Sequence, residues 1–389
     1  MNALIVGYAR TPFVKFNGQF AAIPATRLGA HAIKAALHRA GVAPDAVQRV
    51  VGGQVLQAGA GQNPARQAAV GAGIPLTVPS VTINAVCLSG AEAVATAAAA
   101  IEAGRIDVAV AFGMESMSLA PHALPARAGT KYGSIELLDL LEHDALVDAF
   151  EQRSMGLSTE EGNEDYAILR TAQDEVAARS HIHAAASADW LAAEIEPVLV
   201  PSKRGDIAVT ADDGVRANTT VEVLAGLRPA FSPGGTITAG NSSSINDGAA
   251  ALVLVSAAYA EQHGLSAIAT VEATAFVAGP DVRLHARPAD AIRAALAHID
   301  ATPDDLVRIE INEAFASVIV HSAQLLGIGP ERVNRHGGAI AIGHPVGASG
   351  ARIVGTLARQ LAEQGAGLLG AAAICGGGGQ GSAVLLRSI

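Results

Sequence analysis

The opening stretch MNALIVGYARTPF reads as a strand that runs into a loop, its apolar positions bunched and its polar ones following. The apolar run VPSVTI, residues 78–83, gives way at NAVCLSG to an alanine-rich helix beginning near Ser89. Farther along, VRIEI reads as a strand ended by NEAFA, and AGLLGAAAICGGGGQGSAVLL as strand, tight turn and strand. A hydropathy window would flag that last tract as membrane-spanning, but its block of glycines would expose backbone groups to lipid.

The pattern also repeats. AIKAALHRAGVAPDAVQRVVGG from Ala32 lines up with AIRAALAHIDATPDDLVRIEIN from Ala291 at an offset of 259, and describes one helix, a turn and one strand. SGAEAVATAAAAIEAGRIDVAVAFG from Ser89 matches the segment from Ser349 at an offset of 260. Two blocks at nearly one offset predict two copies of an αβ half, each with a buried, parallel or mixed sheet. The stretch from about Leu119 to Ile245 has no counterpart in the second copy. It is acid-rich (DLLEHDALVDAFEQ, STEEGNEDYAILR), contains the helical run TAQDEVAARSHIHAAASADWLAAEI, and is expected to form a lid or ligand-binding insertion. The expected division is 1–118 with 246–266 as the first half, 119–245 as the insertion, and 267–389 as the second half.

Half of the 389 residues are hydrophobic but only 3% are aromatic, a composition suited to close helix-on-sheet packing. A formal charge of -10 and the lack of any Lys/Arg run argue against a nucleic-acid surface. The N-terminus lacks the pattern of a signal peptide, and two cysteines suit a reducing compartment; a cytoplasmic protein without membrane attachment is expected.

Cysteine is among the most often buried residue types, so Cys87 taken alone reads as a core filler. Its place at a strand-to-helix turn suggests a nucleophile, because a helix start favours the thiolate. Lowering a thiol pKa by two units needs roughly 2.7 kcal/mol, more than the ~0.3–1 kcal/mol typical of a helix end, so a second partner is required. The candidate is His344 in HGGAIAIGHPVGASG, at the point where the second copy enters its own SGA helix; His336 is the weaker alternative. Cys375 opens GGGGQG, whose bare backbone could supply oxyanion donors. The same letters match GxGxxG, but a strand follows instead of a helix, so the dinucleotide fingerprint fails. Asn312 could donate to an oxyanion or simply cap the next helix, and Glu313 reads as no more than a first-turn acid. HIH at 181–183 points its rings apart on a helix, so no metal site is expected.

Together NAVCLSG, NEAFA, GHPVGASG and CGGGGQG resemble the thiolase family, with further matches at RTPF, QAGAGQNPARQAA, GMESMS, LRPAF and AGNSSSINDGAA. The resemblance implies the α/β thiolase fold: two duplicated αβ halves in a layered αβαβα arrangement, with an inserted loop domain over coenzyme A. It implies Cys87 as the acyl-accepting nucleophile, His344 as its base and later a donor to the enolate oxygen, and Asn312 as the holder of a water beside that oxygen. Cys375 becomes the acid/base at the α-carbon, and the N–H groups of Cys87 and Gly377 an oxyanion hole. Ser243 and Arg216 fall where the family meets the pantetheine arm and the adenine end. The implied activity is CoA-dependent Claisen condensation or thiolysis, with acyl-CoA as substrate, no tightly bound cofactor, and a homodimer or homotetramer. A ketoacyl-synthase-like enzyme would use two histidines where Asn312 and Cys375 stand; a non-catalytic acyl-CoA binder would keep the fold without acylation.

The chain departs from the family pattern in four places. Ser154 stands where many members have His, and RLHARP replaces a Met-Gly-x-Gly-Pro run expected to line the pocket, with His285 and Arg287 unexpected there. Leu88 follows Cys87 in place of Gly or Ala, and Gly376 follows Cys375 in place of a larger residue. These changes put acyl-chain preference and ordinary CoA affinity in question.

Overall fold

A computed structural model describes residues 2–203 and 205–389. The first half runs β1 (Ala3–Arg10), α1 (Ala25–Ala40), β2 (Arg49–Gly53), α2 (Pro64–Gly71), β3 (Ser80–Ile83), α3 (Ser89–Glu102) and β4 (Val108–Ser116). The insertion follows, with α4 (Met155–Asp165) and α5 (Arg170–Ala186) as its main helices, and β5 (Asn246–Ser256) closes the half. The second half repeats the order as β6 (Ala269–Ala278), α6 (Arg287–Ala297), β7 (Leu306–Ile311), α7 (Ala316–Leu326), α8 (Val346–Ala362), β8 (Leu369–Gly376) and β9 (Gln380–Ser388). The counterpart of β3 is reduced to a single parallel bridge between Ile309 and Val333.

The strands form one sheet in the order β7-β8-β9-β6-β1-β5-β4-β2-β3, with the short strand Val14–Lys15 paired to β5. The halves join where β1 and β6 pair antiparallel over only three registers, from Ala3↔Val271 to Ile5↔Ala269. Every residue of β5 is buried, and its side chains divide by parity, as a strand covered on both faces requires. Ala249, Ala251, Val253 and Val255 face the core under α1 and α2. Ala250, Leu252 and Leu254 face a second core shared by α3 and α8. A third core gathers α6 and α7 against the outer faces of β7, β8 and β9. The layers are therefore helix, sheet, helix, sheet, helix, with α3 and α8 in the middle.

Alanine makes that middle layer thin. Where α3 and α8 meet, Gly90 and Gly350 let backbone approach backbone: a Cβ on Gly90 would lie 2.6 Å from the Ala351 nitrogen, and one on Gly350 would lie 2.3 Å from that of Ala91. Both glycines belong to the repeated SGA triplet, so the duplication places the same solution on both sides of the contact.

The insertion leaves β4 and returns at β5 where Ser116 and Asp247 are in register, so its two ends share one edge of the scaffold. Arg10 anchors it from beneath: fully buried, its Nε bonds Glu194 at 2.9 Å and its two Nη atoms bond Asp212 at 2.7 and 2.8 Å. The expected helical run breaks at Ser187, and a short helix, Ala188–Ala192, continues it. The glycine-rich C-terminal tract folds as strand, turn and strand. Among the described residues, no helix is long and apolar enough to cross a membrane.

The helix contact is a testable weak point. Gly350→Ala should destabilise the fold by about 1–3 kcal/mol, because the new methyl meets main chain that no rotamer can move. Urea denaturation would show this as a lowered midpoint, and an unchanged midpoint would mean that the crossing is looser than 2.3 Å implies.

Candidate active site

Cys87 sits in the turn between β3 and α3, and that turn is strained. Val86 has φ +52°, a left-handed conformation that a β-branched residue rarely adopts. Its neighbours hold it there: Asn84 Oδ1 accepts the Val86 N–H at 3.0 Å, Ser89 Oγ accepts the Ala85 N–H at 2.9 Å, and the Ser89 hydroxyl donates to the Val86 carbonyl at 2.6 Å. The result is a sharp elbow that presents Cys87 to a cleft of about 570 Å³.

His344 reaches the same cleft from the turn before α8. The Ser349 hydroxyl donates to the Pro345 carbonyl at 3.0 Å, so at 2.6 Å it must accept from His344 Nδ1–H. That assignment leaves Nε2 with a free lone pair. The His344 backbone N–H donates to Asn246 Oδ1 at 3.0 Å, which fixes where the turn stands. Asn312 follows the end of β7, and its amide nitrogen lies 3.4 Å from both ring nitrogens. Its Oδ1 is buried without a protein partner.

Cys375, near the end of β8, and Gly377, in the turn before β9, complete the rim. The Gly377 N–H and the backbone of Cys87 itself hydrogen-bond the Cys87 sulfur, which favours the thiolate. Burial outweighs them: the residue is half-buried overall, yet its thiol is pushed up to about 12, with the charge of Glu115 adding to the rise. The N–H at the helix start pulls this pKa down, as expected, but desolvation of the sulfur exceeds the pull of both N–H groups and the net shift is upward. Burial raises the Cys375 thiol further still, and a charge on Cys87 adds to it. Burial, then the Arg352 charge, lowers His344 to about 3. In the resting site all three groups are neutral.

The first and second parts of the chain, residues 3–258 and 265–388, match the family models for the thiolase N-terminal and C-terminal domains. The chain belongs to the thiolase family. A protein of Mycolicibacterium smegmatis named "Probable acetyl-CoA acetyltransferase" is 51% identical over 99% of this chain and 100% of its own length. The acetyl-CoA acetyltransferase of Cupriavidus necator is 47% identical over 99% of each chain. Among solved structures, the Acat5 thiolase from Ascaris suum in complex with coenzyme A superposes with a TM-score of 0.93, at 37% identity and full coverage of both chains.

Around this thiolase cleft, the remaining candidates divide. Ser243 lines it and donates to the Ala314 carbonyl at 3.1 Å. Ser154 lines it too and caps α4 by accepting the Leu157 N–H at 3.2 Å. Arg216 is exposed and outside the lining, its N–H donating to His181 Nδ1 at 3.2 Å. His336 lies away from the cleft, stacked on Trp190 at 3.9 Å. Asn312 is not a helix cap, since Phe315 holds that position. Glu313 is no first-turn acid either: α7 begins at Ala316, and the buried carboxylate accepts from Ser180 Oγ at 2.7 Å, Asn334 Nδ2 at 2.8 Å and the Ile340 N–H at 3.0 Å. It binds the Asn312 loop to the segment that leads to His344.

The departures from the family pattern are packing exchanges. A Cβ on Gly376 would lie 2.3 Å from Leu88 Cδ1, so the larger residue after Cys87 and the smaller one after Cys375 fill one space. Of RLHARP, only Leu284 lines the cleft. His285 turns into the protein, its Nε2 2.8 Å from Asn163 Oδ1, in room left by Gly162, whose Cβ would come within 2.4 Å of the ring. Arg287 occupies the place of a Cβ on Gly279. The expectation that His285 and Arg287 line the pocket is therefore corrected. Sequence reading also missed Val86, Ser349 and Asn246; Ser349 had a signal, since it is the repeat partner of Ser89.

Burial, followed by the charges of His321 and Arg283, lowers His285 to about 3. The unfolded chain, with His near 6.5, binds the proton that the folded chain refuses, so stability falls as pH drops from about 6.5 toward 3. Between pH 7 and pH 5 this one ring should account for roughly 2 kcal/mol of that loss. His285→Gln should therefore flatten the difference between urea-derived stabilities at pH 7 and pH 5 by that amount, and an undiminished difference would refute the assignment.

Proposed function

We propose that this thiolase-family acyltransferase carries out reversible CoA-dependent condensation and thiolysis between acetyl-CoA and acyl-CoA or 3-oxoacyl-CoA through an acyl group on Cys87. What carries the reading is the meeting of Cys87, His344, Cys375 and the Gly377 backbone on one cleft. The acetyl-CoA acetyltransferase names of its relatives and the coenzyme A bound to the Ascaris suum neighbour support the choice of substrate.

His344 Nε2 takes the Cys87 proton as the sulfur attacks the thioester carbonyl. The tetrahedral oxygen falls to the N–H groups of Cys87 and Gly377, where each donor is worth on the order of 2.7–4 kcal/mol. CoA leaves with the proton of Cys375, so the site now holds a Cys375 thiolate and a protonated His344. A second acetyl-CoA then gives its α-proton to Cys375, and its enolate oxygen faces His344 and a water on Asn312. The carbanion attacks the acyl group on Cys87, and the departing Cys87 sulfur recovers the proton from His344. Burial suits Cys375 to this step, since a thiol whose ionisation is costly gives a strongly basic thiolate. Thiolysis is the same path reversed.

In this reading Ser243 meets the pantetheine arm, exposed Arg216 meets the adenine end, and residues 119–245 cover coenzyme A between the halves 1–118 with 246–266 and 267–389. A cytoplasmic homodimer or homotetramer acting in fatty acid metabolism accompanies it.

Mass spectrometry after exposure to acetyl-CoA separates the two sulfurs. Cys87→Ala should carry no acetyl group, whereas Cys375→Ala, in which the leaving CoA takes its proton from His344 instead, should still become acetylated on Cys87, more slowly, while condensation drops by roughly 10²–10⁴-fold. Acetylation that persists in Cys87→Ala, or loss of all CoA-dependent acetoacetyl-CoA cleavage in the folded wild type, would defeat the proposal.

A further inference from the structure

Glu115, in GMESMS at the end of β4, is fully buried and forms no ion pair among the described residues. Its carboxylate accepts three backbone N–H groups: Val55 at 3.0 Å, Leu56 at 3.1 Å and Gly347 at 3.0 Å. The first two belong to the loop after β2 in the first half. The third belongs to the first turn of α8 in the second half, three residues beyond His344. Three charge-assisted bonds to main chain favour the ionised form, but burial outweighs them and pushes the carboxyl up to about 7, so it is fully ionised only above neutral pH.

Two of the three partners lead to a candidate reacting side chain. The Val55 carbonyl accepts Asn84 Nδ2 at 3.4 Å, and Asn84 Oδ1 holds the strained Val86 beside Cys87. Gly347 follows the Pro345 carbonyl that receives the Ser349 hydroxyl, the group that sets the His344 tautomer. A Cβ on Gly347 would lie 2.7 Å from Glu115 Oε2, so the carboxylate packs directly against that turn.

The duplication gives an independent argument. At the offset of 260 that pairs Ser89 with Ser349, Asn84 pairs with His344, Cys87 with Gly347, and Glu115 with Cys375. In one copy the end of the central strand carries a thiol beside Cys87. In the other the equivalent place carries a carboxylate bonded to the equivalent residue, Gly347. The pseudo-symmetric twin of the reactive site has become its brace.

We propose that Glu115 is a positioning residue for the Cys87 reaction: one buried carboxylate ties the Cys87 elbow of the first half to the His344 turn of the second, with its charge set against the nucleophile. This rests on the reading of Cys87 as the acyl acceptor. Once ionised, Glu115 adds a smaller part to the burial that keeps the Cys87 thiol protonated. The other titratable groups facing this region are Asp247, whose charge acts on Glu115, Cys375, and His344.

The test is iodoacetamide labelling of Cys87 against pH, mapped by peptide mass spectrometry and run without CoA, beside kcat and KM for acetoacetyl-CoA cleavage. Glu115→Gln should move the labelling curve to lower pH and lower kcat by about 100-fold, as expected of a misplaced reacting group, with KM little changed. Glu115→Asp keeps the charge but is too short for all three N–H groups; it should leave the labelling curve in place and still lower kcat. A folded Glu115→Gln with an unmoved curve overturns the electrostatic part, and a Glu115→Asp enzyme with wild-type kcat overturns the brace. Labelling reports on Cys87 even if the protein turns over no thioester, so failure of this proposal is distinct from failure of the proposed reaction.

Discussion

The site exists because two helix starts touch. α3 and α8 approach closely enough at Gly90 and Gly350 for main chain to meet main chain, and each helix is entered from a turn that carries a candidate reacting group, Cys87 on one side and His344 on the other. Any larger residue at the contact would wedge the two turns apart. The alanine-rich composition follows from the same need, since a middle layer with a sheet on both faces has little space for aromatic rings, and the one in this core, Tyr8, lies where Gly355 of α8 leaves room for it. The rest of the molecule keeps this crossing in place: the β1–β6 junction, the Arg10 anchor and the Glu313 bracket all act across segments that converge on it.

Burial sets the electrostatic character of the cleft. It raises both thiols and lowers the imidazole, so these three groups are held neutral in the resting site. A thiolate and an imidazolium can then form only together, each compensating the other in a place that water does not screen. This differs from an activated cysteine at an open helix end, where the field of the backbone alone stabilises the anion. In the proposed reaction the N–H groups of Gly377 and Cys87 would meet the negative charge that develops on the acyl oxygen, favouring the reacting state above the resting one.

Much of the architecture was legible because duplication leaves a trace that periodicity alone does not. The offsets at Ala32 and Ser89 gave two copies before any fold was in view, and the strand, turn and strand of the C-terminal tract followed from its glycines. The cysteines and His344 stood out through their position at element ends. What stayed hidden was the second layer of the site. Glu313 looked like an ordinary acid because its three partners lie as far away as Ser180, and no local pattern announces such a hub. Val86 offered no signal at all, since a strained turn is defined by what forces it and not by its own residue type. The net rise at Cys87 stayed hidden for a related reason: the helix start is visible in the sequence, but the depth of the sulfur is not.

The departures from the family pattern carry a lesson about reading pockets from motifs. Leu88 against Gly376, His285 against Gly162 and Arg287 against Gly279 are pairs in which added volume on one segment occupies space vacated on another. Each exchange lies behind the cleft wall, so the surface presented to substrate is set by Leu284, Met155, Phe231 and Phe315 and not by the residues that looked unusual. Volume-conserving exchanges of this kind leave a core intact because total packing is preserved. Acyl preference in this chain should therefore be sought in the apolar wall, Leu284 of the RLHARP run included, and at Ser154, since these are the departures whose residues line the cleft directly.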